Sequence, residues 1–254
     1  MRKIKAIWRQ SLAEFMIYRG TSIITFLLAT VFLLIELLAG QVYFSQRENL
    51  AGWTANRYYV MISFMNSATY LYNLFFILGH EGLGEDILEG NLDYLLVRPS
   101  SSYWLAVGRS LDIPSFFNLL LSLGLLAYYL TREGASFGQI MLINCMVILP
   151  AALIFILNQL CLTLLFWFEG LTALGGIVED LVSLAGRPKQ IFPRVIQQLF
   201  TWIIPLLLVS NLPEDWLLGQ GKSLLLYLLV FLPLLYWLSV KFWQRGIRHY
   251  SSAN

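Results

Sequence analysis

Side chains able to do chemistry are few in this chain of 254 residues, and they are unevenly placed. Glu81, Glu85, Asp86, Glu89, Asp93 and Asp112 fall in or beside one polar stretch, Gly79 to Arg109, where Arg98 and Arg109 are the basic residues. Grouped carboxylates serve acid–base catalysis when a second reactive group faces them, or meet a basic partner surface when none does. The second group is missing. His80 and His249 are far apart, without a Cys, His or Asp at metal-ligand spacing, and no H-E-x-x-H string occurs. No G-x-S-x-G elbow is present. Gly221-Lys222-Ser223 ends like a phosphate loop, but the glycine required five residues earlier is Trp216. Cys145 and Cys161 lie in one apolar run and form neither a disulfide framework nor a metal-type pair. The chain carries no visible engine, no cofactor site and no metal site. Energy for any work must come from another chain, and the acidic stretch is the place for a soluble partner to dock.

The elements that position these residues are oily. Hydrophobic residues make up 58% of the chain and charged residues 13%, where a soluble domain carries about 25%. Long continuous apolar runs, rather than alternating ones, predict an all-α polytopic membrane protein and not a β-barrel. Six transmembrane helices are expected at about 21–40, 58–78, 111–130, 140–167, 195–211 and 223–240. The fourth is too long for a straight crossing, and the fifth is short and broken by Pro205. Pro150, Pro205 and Pro233 should kink or loosen their helices, while Pro114 falls in a first turn. The start, MRKIKAIWRQSLAEF, lacks the apolar core of a cleavable signal peptide. Basic residues gather in the segments 1–20, 79–110, 168–194 and the C-terminal tail, with Arg47, Arg57, Arg132 and Lys222 on the other side. That bias predicts a multi-pass protein of the cytoplasmic (inner) membrane with both termini in the cytoplasm.

Three polar elements stand out. Residues 1–20 place Ile4, Trp8, Leu12 and Phe15 on one helical stripe with Arg2, Lys5 and Arg9 off it, as in a helix lying on the membrane face. The same pattern suits a plain positive-inside anchor. Residues 80–97 put Leu83, Ile87, Leu88, Leu92, Leu95 and Leu96 on one face and Glu85, Asp86, Glu89 and Asp93 on the rest. Arg98-Pro99 then stops the helix. It is either a connector between spans or a socket that transmits force. Residues 176–187 echo the pattern more weakly, with Ile177, Leu181 and Leu184 beside Glu179 and Asp180, as a second inner contact or as the frayed end of the fourth span. Within the spans, Asn66, Asn73, Asn118, Asn144, Asn158 and Gln159 are expected to line a path or, as is commoner, to bond helix to helix, and Glu36 to reach the interface near the outer end of the first span. No span holds a pair of buried carboxylates, which argues against ion-coupled transport.

The run Gly90-Asn91-Leu92-Asp93-Tyr94-Leu95-Leu96-Val97-Arg98-Pro99 ahead of the third span resembles the signature of ABC-2 type transporter permease subunits, in the group similar to daunorubicin-resistance exporter permeases. Phe192-Pro193, Ile204-Pro205 and Leu212-Pro213 are a weaker echo. The resemblance implies two six-span subunits paired around a path, each seated on a separate ATP-binding cassette ATPase that binds ATP and Mg. It implies that the N-terminal helix, with Trp8, Arg9 and Phe15, is interfacial. The acidic helix would be a coupling helix, with Glu85, Asp86, Glu89, Gly90, Asp93, Arg98 and Pro99 at the ATPase. A non-transporting membrane scaffold or sensor that docks a soluble partner is the alternative. Nothing points to nucleic acid.

Overall fold

Inside hydrocarbon a chain must satisfy its own backbone, so long apolar runs become helices. A computed structural model describes residues 2–45, 52–93, 101–168 and 174–250, and among them there is no strand. The helices are α1 (Arg2–Ile17), α2 (Arg19–Ser45), α3 (Ala55–Tyr72), α4 (Leu78–Leu88), α5 (Ser102–Val107), α6 (Ile113–Arg132), α7 (Phe137–Met146), α8 (Ile148–Thr163), α9 (Leu174–Ala185), α10 (Arg194–Gln198), α11 (Leu206–Leu217) and α12 (Gly221–Ile247). Five stretches of the described residues are long and apolar enough to cross a membrane: Arg19–Ser45, Ala55–Ile87, Ile113–Arg132, Phe137–Phe166 and Gly221–Ile247. A sixth is counted only if the bent pair Arg194–Ile203 and Leu206–Leu217 is taken as one span. The protein is an all-α polytopic membrane protein.

The breaks have local causes. Val147 interrupts the fourth stretch because Pro150 has no N–H for the Met146 carbonyl. The fifth expected span is no straight crossing, for its two halves bend by 89°. Ile204 before Pro205 is pushed to φ −118°, ψ 83°, outside helical geometry. By contrast α12 continues as one helix through Pro233. A π-helical stretch, Asn73–Ile77, joins α3 to α4 without a gap. The acidic helix expected at 80–97 is therefore the continuation of the second span. It ends at Leu88, where Gly90 at φ +73° lets the Asn91 amide reach the Asp86 carbonyl (2.8 Å) and close the last turn.

Polar side chains stitch the helices. Thr30 donates to Asn118 (3.0 Å), Tyr70 to the Ala29 carbonyl (3.1 Å) and Ser67 to Ser122 (3.0 Å), joining α2, α3 and α6. Asn144 and Asn158 instead turn back on the carbonyls of Ile140 and Ile154 in their own helices. α1 turns Ile7 and Phe15 toward Tyr70, Leu74 and Leu111, and its buried Ser11 accepts the Leu111 amide (2.8 Å).

One end of the bundle is tied by ions. Arg57 at the start of α3 bridges Glu133 (3.2 Å) and Glu214 (2.8 Å), and Lys189 bridges Asp215 (2.9 Å). Trp53 donates to Gln190 (2.8 Å) and Asn56 to Glu133 (2.7 Å). Lys189 and Arg57 thus share one end, although the sequence reading put them on opposite sides. The buried carboxylates of α11 draw both cations. The other end packs through Gly79, where an added Cβ would stand 1.9 Å from the Val107 carbonyl oxygen.

Gly79→Ala should cost about 1–3 kcal/mol through overpacking. Gly124→Ala, in open space on α6, should be neutral or stabilising by up to ~1 kcal/mol. Thermal unfolding in detergent reads both. Arg57→Met should lower stability by about 2 kcal/mol, between exposed and buried pairs. Adding Glu133→Gln and Glu214→Gln should recover most of that loss by removing the stranded charges.

Candidate functional site

The acidic segment is assembled from α4 and the turn after it. Leu83, Ile87 and Leu92 are buried, as the apolar face requires, while Glu85, Glu89, Asn91 and Asp93 are exposed. Asp86 takes a different part: its carboxylate pairs with Arg109 at 2.6 Å, bracing the segment against the chain leading into α6. Glu89 accepts from Asn91 (2.9 Å). Tyr250 closes the segment from the C-terminal end, accepting the Leu92 amide (3.0 Å) and donating to the Gly90 carbonyl. Around it Trp243 donates to Ser102 (3.1 Å), Tyr103 meets Ser239 (3.0 Å), and Trp104 stacks on Phe155. Arg98 and Pro99, with the rest of 94–100, lie outside the described residues. Just beyond the segment, burial pushes the Asp112 carboxyl above its ordinary pKa, and the Ser115 hydroxyl donated to it pulls the other way.

Trp8 and Arg9 are exposed on α1 and Phe15 is half-buried, so α1 shows Trp8 and Leu12 outward while Ile7, Ser11 and Phe15 face the bundle. On α9 the buried stripe is Val178, Leu181, Val182 and Ala185, a different face from the Ile177, Leu181 and Leu184 expected. Ile177 and Leu184 are exposed because α9 packs against α8 through that other face. Glu179 and Asp180 are exposed too, on a helix that walls a cleft, and Glu179 lies within electrostatic reach of Glu81 on α4.

That cleft went unseen in the sequence. It holds about 880 Å³ between α2, α3, α8, α9 and the chain from Gly186 to Ile191. Its lining runs from Tyr58 and Arg187, past Glu36 and Asn66, to Tyr72, Asn73 and Glu179. Glu36 accepts from Asn66 at 2.6 Å. Below the cleft, Tyr72 meets His80 Nδ1 (2.7 Å), and His80 Nε2 meets the Gln159 side-chain oxygen (3.0 Å). An amide oxygen only accepts, so Nε2 carries the proton and Nδ1 accepts from Tyr72. Helical periodicity marks a face as apolar or polar, but a cleft exists only once distant helices meet. No group of His, Cys, Asp and Glu that could hold a metal occurs among the described residues.

One end of the bundle is thus braced by ions and the other by aromatics, and the helix that carries the acidic tip also walls the cleft. No curated protein and no solved structure matches the chain. A family model described as ABC-2 family transporter protein matches residues 30–254. By that match the chain belongs to the ABC-2 transporter family.

Proposed function

We propose that the chain is the permease subunit of an ATP-binding cassette exporter, moving its substrate out of the cytoplasm with energy from a separate ATPase. The observation that carries this reading is the continuity of Ala55–Leu88: one helical rod walls the cleft with Tyr58 to Asn73 and ends in the exposed carboxylates Glu85 and Glu89. A push on the tip is a push on the cleft wall. In this proposal Glu85, Glu89, Gly90 and Asp93, with Arg98 and Pro99, meet the ATPase. Asp86 holds the tip in shape through Arg109, and Glu179 and Asp180 form a second contact. ATP and Mg are held by the partner, and this chain holds no cofactor. A second permease subunit, the same chain or a related one, completes the path.

The membrane is the cytoplasmic one, with the Asp86–Arg109 end and both termini on the cytoplasmic side. Arg2, Lys3, Lys5, Arg9, Arg19, Arg98, Arg109, Lys241, Arg245 and Arg248 support that orientation, even with Lys189 moved to the opposite end. The Trp8 and Leu12 face of α1 then lies on the inner leaflet.

The test is association with the ATP-binding cassette ATPase that co-purifies with the full-length permease in nanodiscs. Glu85→Lys with Glu89→Lys should weaken it about tenfold at low salt, and less at high salt. The thermal unfolding midpoint should stay unchanged, because neither side chain makes an ion pair among the described residues. Asp86→Lys should instead lower that midpoint, since it sets two cations against each other. Unchanged association in the double variant would remove the carboxylates from the interface. Absence of any co-purifying ATPase, with no ATP-driven flux on reconstitution, would favour a scaffold.

A further inference from the structure

The cleft contains a carboxylate, Glu36, that makes no ion pair among the described residues. Glu36 lies about 25 Å along α2 from Arg19, in the outer part of a hydrocarbon core about 30 Å thick, and it opens onto the cleft. One of its oxygens accepts from Asn66, and no basic side chain lies within ion-pair distance among the described residues. The other oxygen has no hydrogen bond there. Phe32, Tyr43, Phe44 and Tyr58 line the same cleft, with Tyr43 and Phe44 packed against Tyr58 at 6.3 and 5.7 Å. Arg187, the basic residue of the lining, stands toward the Tyr58 end, and Glu179 adds a second carboxylate toward Tyr72.

A lone carboxylate at this depth is costly unless a positive charge joins it. Aromatic faces attract cations and accept apolar rings. The volume suits a single small molecule, since ligand pockets run from about 300 to 1,000 Å³. Resting on the export reading, we infer that the cleft selects lipophilic organic cations. Glu36 takes the charge, Asn66 positions that carboxylate, and the aromatic side chains take the apolar body.

The probes are tetraphenylphosphonium and tetraphenylborate, ions of nearly one shape and opposite charge. Binding is measured by equilibrium dialysis against the full-length permease in nanodiscs, with empty nanodiscs subtracted. Saturable binding of tetraphenylphosphonium and none of tetraphenylborate is expected. Glu36→Gln, at an unchanged unfolding midpoint, should weaken tetraphenylphosphonium about tenfold or more. Asn66→Ala should weaken it several-fold while leaving the charge in place, which keeps the test open if Glu36→Gln folds poorly. Equal binding of the two ions, no saturable tetraphenylphosphonium binding, or an unchanged affinity in both variants overturns the inference. The assay needs neither ATP nor ATPase. Absent cation binding with ATPase association intact sinks the substrate class alone, and intact binding without ATP-driven flux sinks the export reading alone.

Discussion

The bundle depends on Arg57. Its guanidinium stands at the start of α3 and holds Glu133, just past α6, and Glu214, within α11. Those carboxylates sit in largely buried positions, where a charge without its counterion is expensive. The ion pairs therefore dictate where the segments around them can lie. They draw the bent α10–α11 unit against α3, and with Lys189 and Asp215 they fix the chain that leads out of α9. The cleft is bounded at this end by that same chain, so its shape rests on ion pairs of Arg57 and Lys189, neighbours in the chain of its lining residues Tyr58 and Pro188.

The opposite end is held by a different chemistry. Aromatic rings of Tyr103, Trp104, Phe155, Tyr236 and Trp243 pack in stacked, tilted and edge contacts, and their polar tips find Ser102, Ser239 and each other. Such contacts tolerate sliding better than a forked ion pair does, since ring packing is broad in angle and a guanidinium fork is directional. The protein is thus pinned by ion pairs at the Arg57 end and, at the end bearing the acidic tip, by ring contacts around one tight backbone junction.

Much of the architecture was legible in the chain. Five long helices follow from apolar length, and the buried Leu83, Ile87 and Leu92 follow from helical spacing. What escaped were features set by partners far along the sequence. The average hydropathy around Pro205 is that of a span, yet the 89° bend depends on what α11 meets when it turns: Arg57 and Lys189. Lys189 was placed by the positive-inside bias, a statistical tendency that a direct bond to Asp215 overrides. Asp86 looked like its acidic neighbours, and only folding brings it to Arg109. Glu36 and Asn66 are thirty positions apart on separate helices, so their pairing and the cleft beside it had no local signature.

The contact at Gly79 governs how movement can spread. Backbone meets backbone there, with no side chain between to bend or change rotamer. Such a junction has almost no compliance, so α4 and α5 can turn only together, like meshed gears without play. Beyond α5, Asp112 donates its amide to Leu74 in the π-helical stretch, returning the chain to the same rod. The loop of contacts closes on itself. A displacement of the tip is thereby shared at once between the second and third spans, and the π-helical stretch, with its wider ring of backbone bonds, is where the rod can yield.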